Sequence, residues 1–348
     1  MTTEITFIDP RESPEWGAFA AERPGASVFH STAWSHVLTD SYRYRPSYLI
    51  ARQEGEVIGG VPLMVVKSLL TTKRLVSLPF SDMCAPLLPE GELADEMLLA
   101  LREEADWSGA KGLELRGGTE FGLEAIGFAN GTSFLNHVID LDDEMEGRLH
   151  SSAKRAIRKA EKEGVTVRAG ESLADTRAFY ELMVLTRRKH GLLPQPWRFF
   201  QNIHRHFLED GSGRLLLAEK DGRVIAGDLL LGFRDQLVYK FNASDPAHLQ
   251  LRPNNLLLWH AMQFGLANGY KMLDLGRCDE DNEGLRRFKL LWGSREDRVA
   301  YYYYPGAARG RKVILAVQPA RSALSLFVKY APAFALEGMG AALYANFG

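Results

Sequence analysis

Basic side chains gather on one short stretch, Ser151-Ser-Ala-Lys-Arg-Ala-Ile-Arg-Lys-Ala-Glu-Lys-Glu-Gly164. At helical spacing Ala153, Ala156, Ile157 and Ala160 share one face, and Arg155, Arg158, Lys159 and Lys162 share the opposite one. Serine at the start is a helix cap and Gly164 a stop. Such a face is either a solvated helix surface or a patch for the phosphates of a substrate or of RNA, carried by Arg155, Arg158 and Lys159. A second anion site is offered by Gln250-Leu-Arg-Pro-Asn-Asn255, which precedes a strongly apolar helix over residues 256–266. The first N–H groups of a helix attract negative charge. Other chemistries lose support. There is no G-x-x-x-x-G-K-S/T, no G-x-G-x-x-G after a strand, no G-x-S-x-G and no H-E-x-x-H. Phosphate-loop hydrolysis, dinucleotide redox, serine hydrolysis and zincin chemistry each need one of these. His204 and His206, two apart, point to different faces of a helix, so no metal site is assigned.

The elements that position these groups repeat. Leu49-Ile-Ala-Arg-Gln-Glu-Gly-Glu-Val-Ile-Gly-Gly60 and Leu216-Leu-Ala-Glu-Lys-Asp-Gly-Arg-Val-Ile-Ala-Gly227 agree at Leu49/Leu216, Ala51/Ala218, Gly55/Gly222, Val57/Val224, Ile58/Ile225 and Gly60/Gly227. Each is an apolar strand, a charged turn closed by glycine and a second strand, the pattern of a β-hairpin. Downstream, Lys111-Gly-Leu-Glu-Leu115 and Lys271-Met-Leu-Asp-Leu275 each follow a helical pattern and form a strand. The two offsets, 167 residues (49 to 216) and 160 (111 to 271), differ by a small deletion, as in a duplicated unit. Two mixed α/β units in tandem are predicted. A length of 348 residues agrees, because single cores stop growing near roughly 250–300 residues. A net charge of −2 rules out a global field for polyanions, leaving only local patches. Cys84 and Cys278 lack metal or disulfide-framework spacing, and the start MTTEITFIDP lacks signal-peptide character. A reducing, cytoplasmic setting is expected. No apolar run reaches the roughly 18 residues of a membrane span.

Residues 252–293 resemble the signature region of the Fem-type (FemAB-like) peptidyltransferases of the GNAT superfamily. The likeness lies in Pro253-Asn-Asn-Leu-Leu-Leu-Trp-His-Ala-Met262, Leu273-Asp-Leu-Gly-Arg277, Asn282-Glu-Gly-Leu-Arg-Arg-Phe-Lys289 and Trp292-Gly293. Phe29-His-Ser-Thr-Ala-Trp34, the 154–164 helix, Thr186-Arg-Arg-Lys-His-Gly191 and Tyr239-Lys-Phe-Asn-Ala-Ser244 extend it through most of the chain. The resemblance implies an α/β fold of two tandem GNAT-like domains, at 1–145 and 146–305, followed by a helical apolar tail at 306–348. It implies aminoacyl-tRNA as donor, no separate cofactor, and an envelope precursor with a free amine as acceptor. It places the family's Phe-Lys pair on Phe288 and Lys289. A positioned ammonium that stabilises the oxyanion of acyl transfer contributes about 3–4 kcal/mol. Arg277, at the carboxyl end of a strand, suits a carboxylate or phosphate. Tyr239, Asp274, Asn254, Arg187, His190 and Asp82 complete the candidate substrate-binding set, although strand-end, packing and helix-dipole roles explain several of them equally well.

Acyl-CoA is the weaker donor, because the R/Q-x-x-G-x-G/A loop of CoA-dependent GNAT enzymes has no glycines at residues 250–255. A CoA- or carrier-protein-dependent N-acyltransferase and a silent envelope-assembly binding protein remain the alternatives. Where family members that bind the nucleotide-linked wall precursor carry a phosphate-binding lysine, this chain has Leu38. That departure, Phe80-Ser-Asp82 and the tail look more like FemAB-related proteins of exopolysaccharide or protein-sorting systems. The tail's apolar blocks, broken by Pro319, Pro332 and Gly338, suit packing on the N-terminal domain or lying in a membrane interface at the inner face.

Overall fold

A computed structural model of the protein describes residues 3–67, 72–306 and 328–346. They form two compact units: one of 3–134, 299–306 and 345–346, the other of 135–298 and 328–344.

The first unit opens with β1 (Thr3–Ile8), α1 (Pro14–Glu22), α2 (Thr32–Tyr42), β2 (Arg45–Pro46) and the hairpin β3 (Tyr48–Gln53) and β4 (Glu56–Val61). β5 (Met64–Val66), β6 (Arg74–Val76), α3 (Glu92–Trp107) and β7 (Leu113–Arg116) follow. β1, β3 and β4 make an antiparallel sheet, whereas β6 and β7 pair in parallel with Leu75 opposite Leu113. A parallel pair needs a crossover, and α3 supplies it. Its Ala94, Met97, Leu98 and Leu101 recur every three or four residues and are buried against Leu49, Ala51, Val61 and Leu113. Leu38 is fully buried in α2, so this position belongs to the core. His30 is also structural. Its Nδ1 accepts from the Ser27 N–H at 3.0 Å and its Nε2 meets the Ala85 carbonyl at 2.9 Å.

The second unit contains the end of β8 (Ala129–Asp140), then α4 (Met145–Arg148), α5 (Ser151–Lys162), β9 (Thr166–Gly170), α6 (Leu173–Lys189) and α7 (Trp197–Ile203). β10 (Gly213–Lys220), β11 (Arg223–Phe233), β12 (Gln236–Ser244), α8 (Pro253–Ala267), β13 (Met272–Cys278) and α9 (Glu283–Leu290) complete its main body. Strand order is β8-β13-β12-β11-β10-β9. α5 and α8 cover one face through Ala153, Ile157, Leu257 and Ala261, while Phe199 and Phe200 of α7 meet Phe241 on the other. Strand β14 (Arg295–Tyr304) and helix α10 (Ala333–Leu343) end the described chain.

Both predicted hairpins are present, and their likeness extends to a defect. Register slips between Ala51 and Arg52 in β3 and between Ala218 and Glu219 in β10, which are equivalent positions of the repeat. Gly60 and Gly227 are equivalent as well, each sitting where an aromatic ring of a helix, Trp16 or Phe179, presses on the strand.

One local expectation needs correcting. The cap of α5 is His150, whose ring accepts from the Ser152 N–H at 3.2 Å, so serine does not supply it. The tail helix α10 lies on α6 of the second unit, where Glu337 pairs with Arg177 at 3.1 Å and Leu336 is buried, while residues 345–346 belong to the first unit. The small Gly340 permits that approach, since an added Cβ would stand 2.3 Å from the Pro194 carbonyl oxygen. The apolar block at 313–317 lies outside the described residues. Among the described residues no helix is long and apolar enough to cross a membrane.

Candidate active site

β12 and β13 run side by side only briefly. Gln236, Leu237 and Val238 pair with Met272, Leu273 and Asp274, after which β12 continues with β11 and β13 with β8. The sheet therefore opens beyond Val238, and two strand edges flank the opening. Both are irregular there. In β12 the register slips so that Leu229 faces Phe241 and Leu230 faces Tyr239, leaving Lys240 as the extra residue. A bulge re-aims side chains. Here it leaves Leu237 and Tyr239 packed toward α8 while Phe241 turns to α7. In β13 the slip lies between Asp274 and Arg277, at Gly276, whose φ of +72° favours glycine.

α9 docks on that bulge. Asn282 caps the helix, its Oδ1 accepting from the Leu285 N–H at 3.2 Å. Phe288 is half-buried with its ring 6.3 Å from that of the fully buried Trp292, while Lys289 turns inward. Lys289 is only 5% exposed, and its Nζ donates to the Gly276 carbonyl at 2.7 Å. A surface position for this lysine is thereby excluded. Asp274 fixes the same bulge, its Oδ1 accepting from the Gly276 N–H at 2.7 Å and from Asn136 Nδ2 at 3.1 Å.

Behind Lys289 stands a side chain that no spacing in the sequence marks. His137 of β8 is fully buried, with Nε2 3.3 Å from Cys278 Sγ, Nδ1 3.3 Å from Ser294 Oγ and Glu296 at 3.9 Å. Burial and then the nearby Lys289 ammonium push its imidazole down to about 4. The ring is neutral at physiological pH and adds no competing positive charge. His30, lowered by burial to about 4, behaves alike. Both are depressed from an ordinary value near 6.5, so the unfolded chain takes up protons first as pH falls. The stability that they contribute is complete above about pH 6.5 and is lost toward pH 4. We predict that His30→Asn and His137→Asn each flatten the decline of unfolding free energy between those pH values in urea titrations. An unchanged slope in both variants would contradict the assignment.

The third feature joins β11 and β12. Asp228 is fully buried, and its Oδ1 accepts from Tyr239 Oη and Asn242 Nδ2, each at 2.7 Å. Its Oδ2 has no hydrogen-bond partner. Burial raises this carboxyl to about 7, against the lowering effect of the Asn242 and Tyr239 hydrogen bonds. Asp228 was not legible in the sequence, where it reads as one polar residue in an apolar strand.

The other candidates are placed around the same opening or away from it. Arg277 is half-buried near the end of β13, opposite Asn136. At the far end of β12, the Thr186 hydroxyl accepts from the Ser244 N–H at 3.1 Å, and Asn254 Nδ2 of α8 lies 3.4 Å from Ser244 Oγ. That places the end of α6, with Arg187 and the exposed His190, beside the start of α8. The His190 imidazole is lowered by burial, with Lys189 and Arg187 adding to it. Arg155, Arg158 and Lys159 stand exposed on α5, whose apolar face packs in the core. Asp82 belongs to the first unit, in a loop where its backbone carbonyl accepts from the Tyr301 hydroxyl at 2.7 Å.

Residues 147–296 match the acetyltransferase (GNAT) domain family. The chain is 26% identical to a lipid II:glycine glycyltransferase of Staphylococcus aureus, over 80% of this chain and 88% of that one. It is 22% identical to the UDP-N-acetylmuramoylpentapeptide-lysine N(6)-alanyltransferase of Weissella viridescens, a match spanning 42% of this chain and 45%, under half, of that relative. In fold it is similar to the crystal structure of FemX, with a TM-score of 0.73 at 17% identity, covering 90% of this chain and all of that one. A tandem GNAT protein from the clavulanic acid pathway gives 0.53 at 13% identity, over 87% and 98% of the two chains. Repeated hairpins, an opened parallel pair in the second unit and the likeness to named glycyl- and alanyltransferases converge: residues 147–296 carry a GNAT acyltransferase domain, and the chain is similar to the Fem-type transferases.

Proposed function

We propose that the protein transfers an aminoacyl group from aminoacyl-tRNA to a primary amine of a cell-envelope precursor. The relatives supply the reaction class, since their names describe glycine and alanine transfer to lipid II and to a UDP-linked muramoyl pentapeptide. The turn before α8 favours tRNA over CoA as the carrier of the donor group. A pyrophosphate cradle needs unengaged backbone N–H groups. Here Pro253 has none, the N–H groups of Asn255 and Leu256 already donate to the Arg252 carbonyl at 3.1 and 3.4 Å, and that of Arg252 donates to Leu249. An ester donor carried by tRNA makes no demand on this turn, whereas a CoA thioester does. Fully buried Leu38 supports an acceptor other than one held by its nucleotide phosphates.

In the reaction the amine nitrogen attacks the ester carbonyl, a C–N bond forms, the ester C–O bond breaks and tRNA leaves as its ribose alcohol. The developing oxyanion is stabilised by the Lys289 ammonium, which Gly276 and the bulge hold in place. Arg277 and Tyr239 bind the acceptor beside it, and the exposed basic face of α5 meets tRNA phosphates.

The test mixes the purified protein with lipid II, and separately with UDP-linked muramoyl pentapeptide. Each is combined with tRNA charged with radiolabelled glycine or alanine, or with labelled acetyl-CoA. Label transfer from tRNA is expected. Transfer from the thioester alone would replace the donor assignment with a CoA-dependent one, and transfer from neither would favour a binding protein.

A further inference from the structure

Asp228 is an expensive residue to keep where it is. It sits in mid-strand, fully buried, opposite Leu216 of β10 and within the layer that α8 covers with Leu256, Leu257 and Ala261. An uncompensated buried carboxyl oxygen costs stability, and Oδ2 makes no hydrogen bond. Packing does not demand an acid. An asparagine would accept from Tyr239 equally well without the desolvated charge. What an acid adds is the ability to take and return a proton, and the geometry gives that proton a route. Tyr239 donates its hydroxyl hydrogen to Asp228 Oδ1, and its phenol oxygen, which the Asn242 amide also approaches, has a further lone pair for a second partner. Tyr239 is half-buried and is the first residue of β12 beyond the point where β13 departs.

Resting on the transfer reaction above, we propose that Tyr239 and Asp228 form its proton path. As the amine nitrogen bonds the carbonyl carbon, its N–H proton passes to the Tyr239 oxygen while the phenol's own proton passes to Asp228. When the ester C–O bond breaks, the same path run backwards protonates the leaving ribose oxygen, and both residues end as they began. Tyr239 is the catalytic residue of the pair, and Asp228 acts through it as a positioning and proton-holding residue. A carboxyl raised to about 7 is matched to proton exchange at neutral pH. The groups acting on it are its burial, Asn242 and Tyr239, and no charged side chain of β10, β12 or α8 among the described residues shifts it. The Tyr239 phenol is held well above its ordinary range by burial and by Asp228, so it relays a proton without resting as phenolate.

The decisive variants are Asp228→Asn, Asp228→Glu and Tyr239→Phe, assayed with the same charged tRNA and precursors across pH. Asp228→Asn and Tyr239→Phe are each expected to lower kcat about 100-fold or more, with KM changed less than about threefold. The double variant should be no slower than the worse single one. The acidic limb of the wild-type pH profile, near pH 7, should vanish in Asp228→Asn and persist in Asp228→Glu. Wild-type kcat with an unchanged limb in Asp228→Asn overturns the proton path, and loss of transfer in Lys289→Ala in the same assay shows that the transfer reading itself still stands. A readout free of turnover is the infrared carboxylic C=O stretch. A band present in the wild type, absent from Asp228→Asn and titrating away between about pH 6 and 8 supports the inference. Lack of any such band overturns it, even if no tested donor is used.

Discussion

Replacing Lys289 by alanine is expected to reduce kcat for acyl transfer by about 100- to 1,000-fold, the usual effect of removing a preorganised oxyanion donor. Acceptor affinity should change little. The lysine is buried, its ammonium anchored on the Gly276 carbonyl of the β13 bulge, beside an imidazole kept neutral by burial and by the lysine itself. A charge held in this way needs little reorganisation as an oxyanion forms. Truncation also strips a buried carbonyl of its donor, at a cost of about 1–3 kcal/mol in stability. Turnover should therefore be compared with Lys289→Met, whose unbranched side chain is of similar length without the charge. Both variants should be inactive, with Lys289→Met closer to wild type in its melting temperature. If Lys289→Met retained full turnover, the ammonium would have no part in the chemistry.

A large structural effect is expected at Gly60 and Gly227, which lie in the second strands of the two repeated hairpins. An alanine at Gly60 would place its Cβ 2.4 Å from Cζ3 of Trp16 and 3.2 Å from the Leu49 carbonyl oxygen. Trp16 has no room to retreat, because it is fully buried and its indole N–H donates to the His30 carbonyl at 2.7 Å. At Gly227 the corresponding Cβ meets Cδ2 of Phe179 at 2.8 Å and Cδ2 of Leu217 at 3.0 Å. Phe179 makes ring contact with Phe200 at 6.0 Å and is not tied by a hydrogen bond of its own. Gly60→Ala should destabilise the protein by about 2–3 kcal/mol and Gly227→Ala by about 1–2 kcal/mol in urea unfolding. A Gly60→Ala variant within 0.5 kcal/mol of wild type would mean that the helix slides freely on the strand, contrary to this packing.

These glycines show how far the sequence reached. Gly60 and Gly227 were readable as equivalent because hairpins are local. Strand alternation, a glycine turn and the matched positions all fall within a dozen residues. The same holds for α5 and α8, whose apolar spacing was visible, and for the strand Lys271-Met-Leu-Asp-Leu275, which became the core of β13. Phe288 and Lys289 were singled out through the resemblance. The lysine's burial was not, since α9 exposes the rest of its surface apart from the half-buried Phe288 and a local pattern there reads as a solvated helix.

The repeated hairpins, the mixed α/β class and the likeness to Fem-type transferases were thus legible along the chain. Tertiary structure decided the chemistry around Lys289. His137 and Cys278 are 141 residues apart, and Asn136 and Asp274 are 138 apart. Only the pairing of β8 with β13 brings them together. The bulge at Lys240 decides that Tyr239 and Asn242 both reach Asp228, because one extra residue shifts the alternation that a period of two would impose. Spacing along a chain encodes which face of its own element a side chain occupies, while partners, burial and the proton affinities that follow depend on which distant strand lies alongside.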